Sequence, residues 1–285
     1  MVNLKKYWKE GIVLSLLVLN LLVWSAVSVG EPSKFLSVYF LDVGQGDAIF
    51  IETPSHGRVL IDGSATRNIL NKLGEVIPFG DRRIDVVIET HPDKDHIGGL
   101  PEVVSRYNVG LFLEPGVESL SSIDDELKKR IKEKNIPNVL ARRGHVLNFN
   151  DGVKLLILFP NQDVSNWETN DASIVAVLMY GEHSFLLTGD ATKKTEYLLI
   201  GLNKEGLNTD VLKAGHHGSY TSTSLPFAEA VTPEYAIISS GKDNSYGHPH
   251  RETLETLNKV GAKILNTADL GTIHFQTDGI NLIWK

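Results

Sequence analysis

"VVIETHPDKDHIGGL", Val86 to Leu100, joins an unbroken apolar run to a loop that packs His91, Asp93, Asp95 and His96 into six positions. Val86, Val87 and Ile88 in succession read as a strand covered on both faces, the pattern of a sheet packed between layers. Beyond the loop, Leu100, Val103, Val104 and Tyr107 recur at helical spacing, and Pro101 stands in the first turn, where its missing N–H is tolerated. The polar residues therefore occupy a strand-to-helix connection. In such a loop alternate residues can converge, so His91, Asp93 and Asp95 are able to point together while His96 faces a neighbouring centre. That spacing suits two metal ions sharing one loop, because imidazole and carboxylate are ordinary ligands for Zn²⁺, Mn²⁺ and Fe²⁺, and added carboxylates favour the harder ion. A solvated turn with an aspartate capping the next helix is the plainer alternative, but it accounts for neither histidine.

Outward from this loop the chain alternates strand-like and helix-like segments. "FLSVYFLDV", "DAIFIET" and "RVLID" are short apolar runs parted by turn residues, followed by helix-like "ATRNILNKLGEV". On the other side, "VKLLILFP", "SIVAVLMY", "HSFLLTGD", "DVLKAG" and "YAIISSG" read as strands. "TKKTEYLLIGLNKEG", "LPFAEAV" and "ETLETLNKV" read as helices, and "GTIHFQTDGINLIW" as a hairpin turning at Asp278-Gly279. With 285 residues, 42% of them hydrophobic, the chain is long enough for a sizeable core. Residues 35–285 read as one α/β domain whose strand ends gather a site.

The front of the chain is different. Lys5, Lys6 and Lys9 precede the uncharged "GIVLSLLVLNLLVWSAVSVG", Gly11 to Gly30, about the ~20 residues that cross a bilayer. Two readings compete for residues 1–30. Small residues at Ala26 and Ser28 fit a cleaved signal peptide, while an apolar run longer than the usual ~7 to 15 residues fits an uncleaved signal anchor. Either way the lysines predict a cytoplasmic N-terminus, with the domain beyond the linker 31–34 outside the membrane, anchored or secreted. The chain has no cysteine, so disulfides and thiolate ligands are excluded. A net charge of -7 argues against a surface that coats nucleic acid by general basicity; a polyanion would have to be held locally.

Three later stretches offer further ligands at comparable places. "FLLTGDA" ends a strand in Asp190, a carboxylate able to bridge two ions, "DVLKAGHHGSY" ends the next in His216 and His217, and "AIISSGKDNSYGHPH" delivers His248 and His250 after another. Each alone has a bland explanation; their shared placement after apolar runs points to one site.

The order "LDVGQGDA", "LIDG", "THPDKDHIGG", "LLTGD", "AGHHGS" and "YGHPH" resembles the metallo-β-lactamase superfamily, and within it the hydrolase-like domain of the ComEC competence proteins that take up DNA. The resemblance runs from Phe35 to the C-terminus and implies an α/β, four-layer αββα sandwich holding two divalent metal ions, Zn or Mn. It implies that Asp62 supports the metal loop by hydrogen bonding, that His91 ligates metal one, that Asp95 and His96 ligate metal two, and that Asp190 bridges them. Asp93 stands where most of the superfamily has a second histidine, which makes Mn²⁺ more plausible than in a histidine-rich site. Near "WETNDASIVAV" the superfamily's third histidine is replaced, and Asn170 is compatible with a weak ligand, a substrate contact, an open position or a simple turn. By order after the Asp190 strand His216 is the remaining ligand, with His217 or His248 as proton donor; by analogy with phosphodiesterases of the same fold, His248 ligates and His216 or His217 donates.

The other features carry less. His56, His145, His183 and His274 lie near turns or in strand-like alternation and read as structural. The basic run Leu127 to Arg143 reads as a solvated helix face, with phosphate contact as the alternative. "DVGQGDA" reads as a turn between strands, with Gln45 and Asp47 as alternative cleft residues. The expected activity is metal-assisted hydrolysis of DNA or another phosphodiester outside the membrane, linked to DNA uptake only through a separate channel protein. A lactonase, β-lactamase or phosphocholine esterase on the same metals, and a non-catalytic surface DNA-binding module, are the alternatives.

Overall fold

In the computed structural model, residues 8–29, 33–203 and 206–285 are described, without the side chains of 21–29 and 203. The chain divides near Ser33 into two compact units. The first contains helix α1 (Trp8–Val29), with Leu14, Leu16, Leu17 and Leu19 exposed. Among the described residues no helix is long and apolar enough to cross a membrane. Lys5, Lys6, the last residue of the expected membrane-directed segment, Gly30, and residues 31–32 of the expected linker lie outside the described residues.

The second unit is built on two sheets. The chain first lays down β1 (Leu36–Phe40), β2 (Ile49–Glu52), β3 (Arg58–Ile61), β4 (Arg83–Ile88), β5 (Asn108–Glu114) and β6 (Asn138–Leu140). It then forms β7 (Val146–Asn148), β8 (Lys154–Phe159), β9 (Val175–Tyr180), β10 (His183–Leu187), β11 (Val211–Lys213), β12 (Tyr235–Ile238) and β13 (Lys263–Asn266) in a second sheet. The hairpin β14 (Ile273–Thr277) and β15 (Leu282–Trp284) returns to the first sheet, which runs β15-β14-β1-β2-β3-β4-β5-β6; the second runs β13-β12-β11-β10-β9-β8-β7.

Side-chain alternation sorts the apolar residues into three layers, since neighbouring strand residues face opposite sides. In β4, Val86 and Ile88 face the space between the sheets, where they join Phe185 and Leu187 of β10, while Val87 faces outward. The outward layer of the first sheet is covered by α2 (Asn68–Val76), α3 (Lys94–Ile97), α4 (Leu100–Arg106) and α5 (Ser122–Glu133), through Leu73, Ile97, Val103 and Leu127 among others. The second sheet is covered by α6 (Lys193–Asn203), α7 (Leu225–Val231) and α8 (Arg251–Lys259), through Leu199, Phe227 and Leu257. The architecture is the expected αββα sandwich. A last short helix, α9 (Thr267–Leu270), follows β13.

The outer strands β6 and β7 are three residues each and largely exposed, so they leave no apolar run for a sequence reading to find. The basic run ending at Arg143 is largely tied to the protein itself. Lys128 pairs with Asp124, Arg130 with Glu126, Lys134 caps the Ser105 carbonyl, and Arg142 donates to the carbonyls of Pro115 and Ala141.

Candidate metal centre

Parallel pairing brings the ends of several strands to one edge. β3 and β4 are parallel neighbours in one sheet, as are β10, β11 and β12 in the other. Asp62 follows β3, His91 follows β4, Asp190 follows β10, and the 3-10 turn Gly215–Gly218, carrying His216 and His217, follows β11. β2 is antiparallel to β3, with Ile49 opposite Ile61, so Asp47 just before β2 arrives at the same edge.

Four imidazoles converge on one carboxylate oxygen. Asp190 Oδ2 lies 3.2 Å from His96 Nε2, 3.3 Å from His217 Nε2, 3.8 Å from His216 Nε2 and 3.9 Å from His91 Nε2. His217 Nε2 also stands 3.2 Å from Asp95 Oδ2, and His91 Nε2 is 3.7 Å from Asp93 Oδ2. His91, His96, His217 and Asp190 are all buried, whereas Asp93, Asp95 and His216 are partly open to solvent. Asp93 occupies the N-cap position of α3, yet its side chain accepts no hydrogen bond from that helix. The capping alternative therefore does not describe it.

A second ring of contacts fixes the first. Asp62 Oδ2 accepts from His96 Nδ1 at 2.8 Å, and Asp62 also receives the Thr90 N–H and hydroxyl, so His96 is oriented by a carboxylate on its far nitrogen. His217 Nδ1 faces the Ser239 carbonyl at 2.9 Å and Asp47 Oδ1 at 3.3 Å. Asp47 Oδ2 in turn is 2.5 Å from Nζ of the fully buried Lys213. His216 Nδ1 meets Thr221 Oγ1 at 2.9 Å. Both His216 and His217 have left-handed backbone, at φ 48° and 54°, a conformation that costs a non-glycine residue energy and is held by its surroundings. Gly46 is required where it stands: at φ +120° it lets the Asp47 loop come so close to the Asp95 carbonyl that a Cβ would overlap it.

Residues 41–242 match the Metallo-beta-lactamase superfamily. The chain belongs to this superfamily. It is 33% identical over 256 residues to ComE operon protein 3 of Bacillus subtilis, covering 84% of this chain and 33% of that protein. It is 32% identical over 237 residues to Recombination protein 2 of Haemophilus influenzae, covering 82% of this chain and 28% of that one. The chain thus spans about one third of the length of the curated relatives it matches. Among solved structures, the metallo-beta-lactamase fold protein YhfI from Bacillus subtilis superposes with a TM-score of 0.55 at 11% identity, over 88% of this chain and 100% of that one. A metallo hydrolase from Ignicoccus hospitalis gives 0.53 at 17% identity, over 85% and 98%.

In this metallo-beta-lactamase fold the charges are arranged as counter-charges to one another. Burial disfavours charge on His96 and His217, yet Asp190 first, with Asp62 and Asp47 respectively, holds both rings well above the ordinary imidazole range. Burial also opposes the Asp190 carboxylate, and the His217 and His96 charges outweigh it, keeping that carboxyl well below its usual range. The same contest sets Asp47 at about 2, where Lys213 and then His217 overcome burial. His91, with burial dominant and the His96 charge added, is lowered to about 3.

The donor set fits a divalent metal. Asp47, His96, Asp190 and His217 each offer an atom within 4.8 Å of the others, and all four are buried. Asp190 Oδ1 and His91 Nε2 are buried with no hydrogen-bond partner, an expensive condition that a coordinated cation relieves. Asn170, in the 3-10 turn Asn170–Ala172, also has a buried, unpartnered Oδ1, while its neighbour Asp171 is committed to Thr192 and Lys194. His248 stands further out, with ring centroids 5.5 Å from His216 and 6.1 Å from His217.

Two participants carry a weak signature in the sequence. Asp47 sits in a glycine turn that explains itself as a turn, and Lys213 is one letter inside an apolar strand. A charge embedded in "DVLKAG" immediately before two histidines was the available sign, because lysine is almost never fully buried unpaired. His274, read as structural, stacks on Tyr39 with ring centroids 3.9 Å apart.

Proposed function

We propose that this domain is a phosphodiesterase or nuclease that cleaves DNA with two divalent ions, Zn²⁺ or Mn²⁺. The observation that carries the reading is the convergence of four imidazole Nε2 atoms within 3.9 Å of one buried carboxylate oxygen, Asp190 Oδ2, flanked by Asp93 and Asp95. One ion would be held by His91, Asp93 and Asp190, the other by Asp95, His96, His217 and the same Asp190. Divalent ions held there supply Lewis acidity, activating water near neutral pH and offsetting negative charge on phosphoryl oxygens.

The chain's own residues do the rest. Asp62 keeps the His96 ring turned so that its Nε2 faces the centre. The Ser239 carbonyl and Asp47 do the same for His217. His216 and His248 border the more open side and would exchange a proton with the leaving oxygen. Asn170, with its buried and unpartnered amide oxygen, would serve as a weak metal ligand or as a substrate contact. DNA as substrate is supported by the names of two relatives, a competence protein of Neisseria gonorrhoeae and a recombination protein of Haemophilus influenzae. On this reading residues 35–285 act outside the membrane, tethered by the Gly11–Gly30 segment or released after its removal.

The test is cleavage of labelled single-stranded and duplex DNA with Mn²⁺ or Zn²⁺, run beside Asp95→Asn. Metal-dependent cleavage that falls by at least about 10²-fold in the variant is expected, as for loss of a group acting in the transition state. Bound metal without cleavage of either DNA would overturn the nuclease reading.

A further inference from the structure

Between α6, α7 and the start of α8 lies a second concavity of about 180 Å³ that the chemistry above leaves unused. Its polar lining includes Ser222 and Thr223, which are buried and whose hydroxyl oxygens have no hydrogen-bond partner. Tyr197 and Tyr220 line it as well, 55% and 56% exposed, and Lys193 and Glu252 add one charge of each sign.

The wall of this pocket is joined to the metal centre by side-chain contacts. Thr221, between Tyr220 and Ser222, meets Nδ1 of His216 at 2.9 Å. Ring contacts lead the same way: His217 to His248 at 6.1 Å, His248 to His250 at 4.9 Å, and His250 to Tyr220 at 5.0 Å. The Tyr220 N–H also donates to His250 Nδ1, which ties the pocket wall to the segment carrying His248.

The lining narrows the ligand. Hydroxyls both donate and accept, so they suit a group with mixed donors and acceptors along one edge. Exposed tyrosine faces suit a flat π system, and Lys193 suits a nearby phosphate. A quaternary ammonium would use the tyrosines and Glu252, but it would leave the hydroxyls unpaired and meet the Lys193 charge. We propose that this pocket binds the unpaired nucleobase of the nucleotide adjoining the phosphodiester held at the metal centre. The inference rests on the nucleic-acid reading above and adds to it a base subsite that a paired duplex cannot fill.

The test is binding of a short labelled single-stranded oligonucleotide with uncleavable phosphorothioate linkages to the full chain loaded with Mn²⁺. Tyr197→Ala and Tyr197→Phe are compared, each against an oligonucleotide with an abasic site at successive positions. Tyr197→Ala is expected to weaken binding roughly 5- to 100-fold, the range for loss of one base–aromatic stack, and Tyr197→Phe to restore it. One abasic position should erase the difference between wild type and Tyr197→Ala. Equal affinity in wild type and Tyr197→Ala, beside metal-dependent DNA cleavage, would overturn the base subsite and leave the nuclease standing. Competition by choline but not by a nucleoside monophosphate would overturn it too. Absence of both oligonucleotide binding and DNA cleavage would remove the nucleic-acid reading, and the subsite with it.

Discussion

Replacing Lys213 by methionine tests whether the centre is held together by charge before any ion arrives. Nζ lies 2.5 Å from Asp47 Oδ2 and both side chains are buried, so at an effective dielectric of about 20 their gross attraction is roughly 6 to 7 kcal/mol. Most of that is offset by the several kcal/mol that each ion loses on leaving water, so the net worth of the pair is small. Removing only the lysine is another matter, because the buried Asp47 carboxylate is left with the more distant His217 charge, which it shares with Asp190. The expected cost is about 3 to 5 kcal/mol, or roughly 6 to 20 °C in melting temperature for a domain of this size. Thermal and urea unfolding should be followed with a chelator present, so that metal binding does not feed into the apparent stability. Asp47→Asn made in the Lys213→Met background should recover part of the loss, since it removes the stranded charge. A Lys213→Met protein melting within about 2 °C of wild type, or a strictly additive double variant, would refute this account.

Other outcomes follow from the same geometry. Burial first, then Asp124 and Glu114, pushes the Glu89 carboxyl well above its ordinary 4.5. The folded state therefore binds a proton that the unfolded chain has released, and this group's contribution to stability is lost as pH rises above 4.5. Glu89→Gln should raise stability at neutral pH and flatten its decline, as read from unfolding at several pH values; an unchanged slope would count against the buried acid. His96 and His217 are held protonated by Asp190, so a divalent ion must displace protons, and its affinity should strengthen as pH rises. Calorimetry in buffers of different ionisation enthalpy would report proton release, and zero release would contradict it. Gly46→Ala forces a Cβ to within 2.2 Å of the Asp95 carbonyl oxygen at φ +120°, so about 2 kcal/mol or more of stability and most metal uptake should go together; metal content measured on the folded fraction decides it.

Much of this centre was legible because its residues follow apolar runs. Val86 to Ile88 announce a buried strand, and what comes directly after the end of a buried strand in an α/β sheet belongs to the edge where sites form. His91, Asp190, His216 and His217 could be grouped on that ground alone. What periodicity could not rank was His216 against His217. Their distances to Asp190 differ by half an ångström because two consecutive residues take left-handed backbone, and no spacing rule anticipates that. Asp47 was open only as an alternative cleft residue, and its pairing with Lys213 escaped for a different reason. Their partnership joins the turn before β2 to the end of β11 in the other sheet, a contact of high sequence separation that leaves no local pattern in either segment.

The return of the C-terminal hairpin to β1 bears on how the protein can be made. β14 pairs with β1 along its whole length, from Leu36 opposite Thr277 to Phe40 opposite Ile273. A nascent or truncated chain lacking β14 would present β1 as an open edge, five largely buried residues with unpaired backbone groups, and such edges recruit other chains. Closing that seam requires segments from opposite ends of the domain to meet, which is slow relative to local structure. During synthesis, the interval before residues 273–277 emerge is therefore the period of greatest exposure to aggregation, and the one in which a holding chaperone would have most effect on yield.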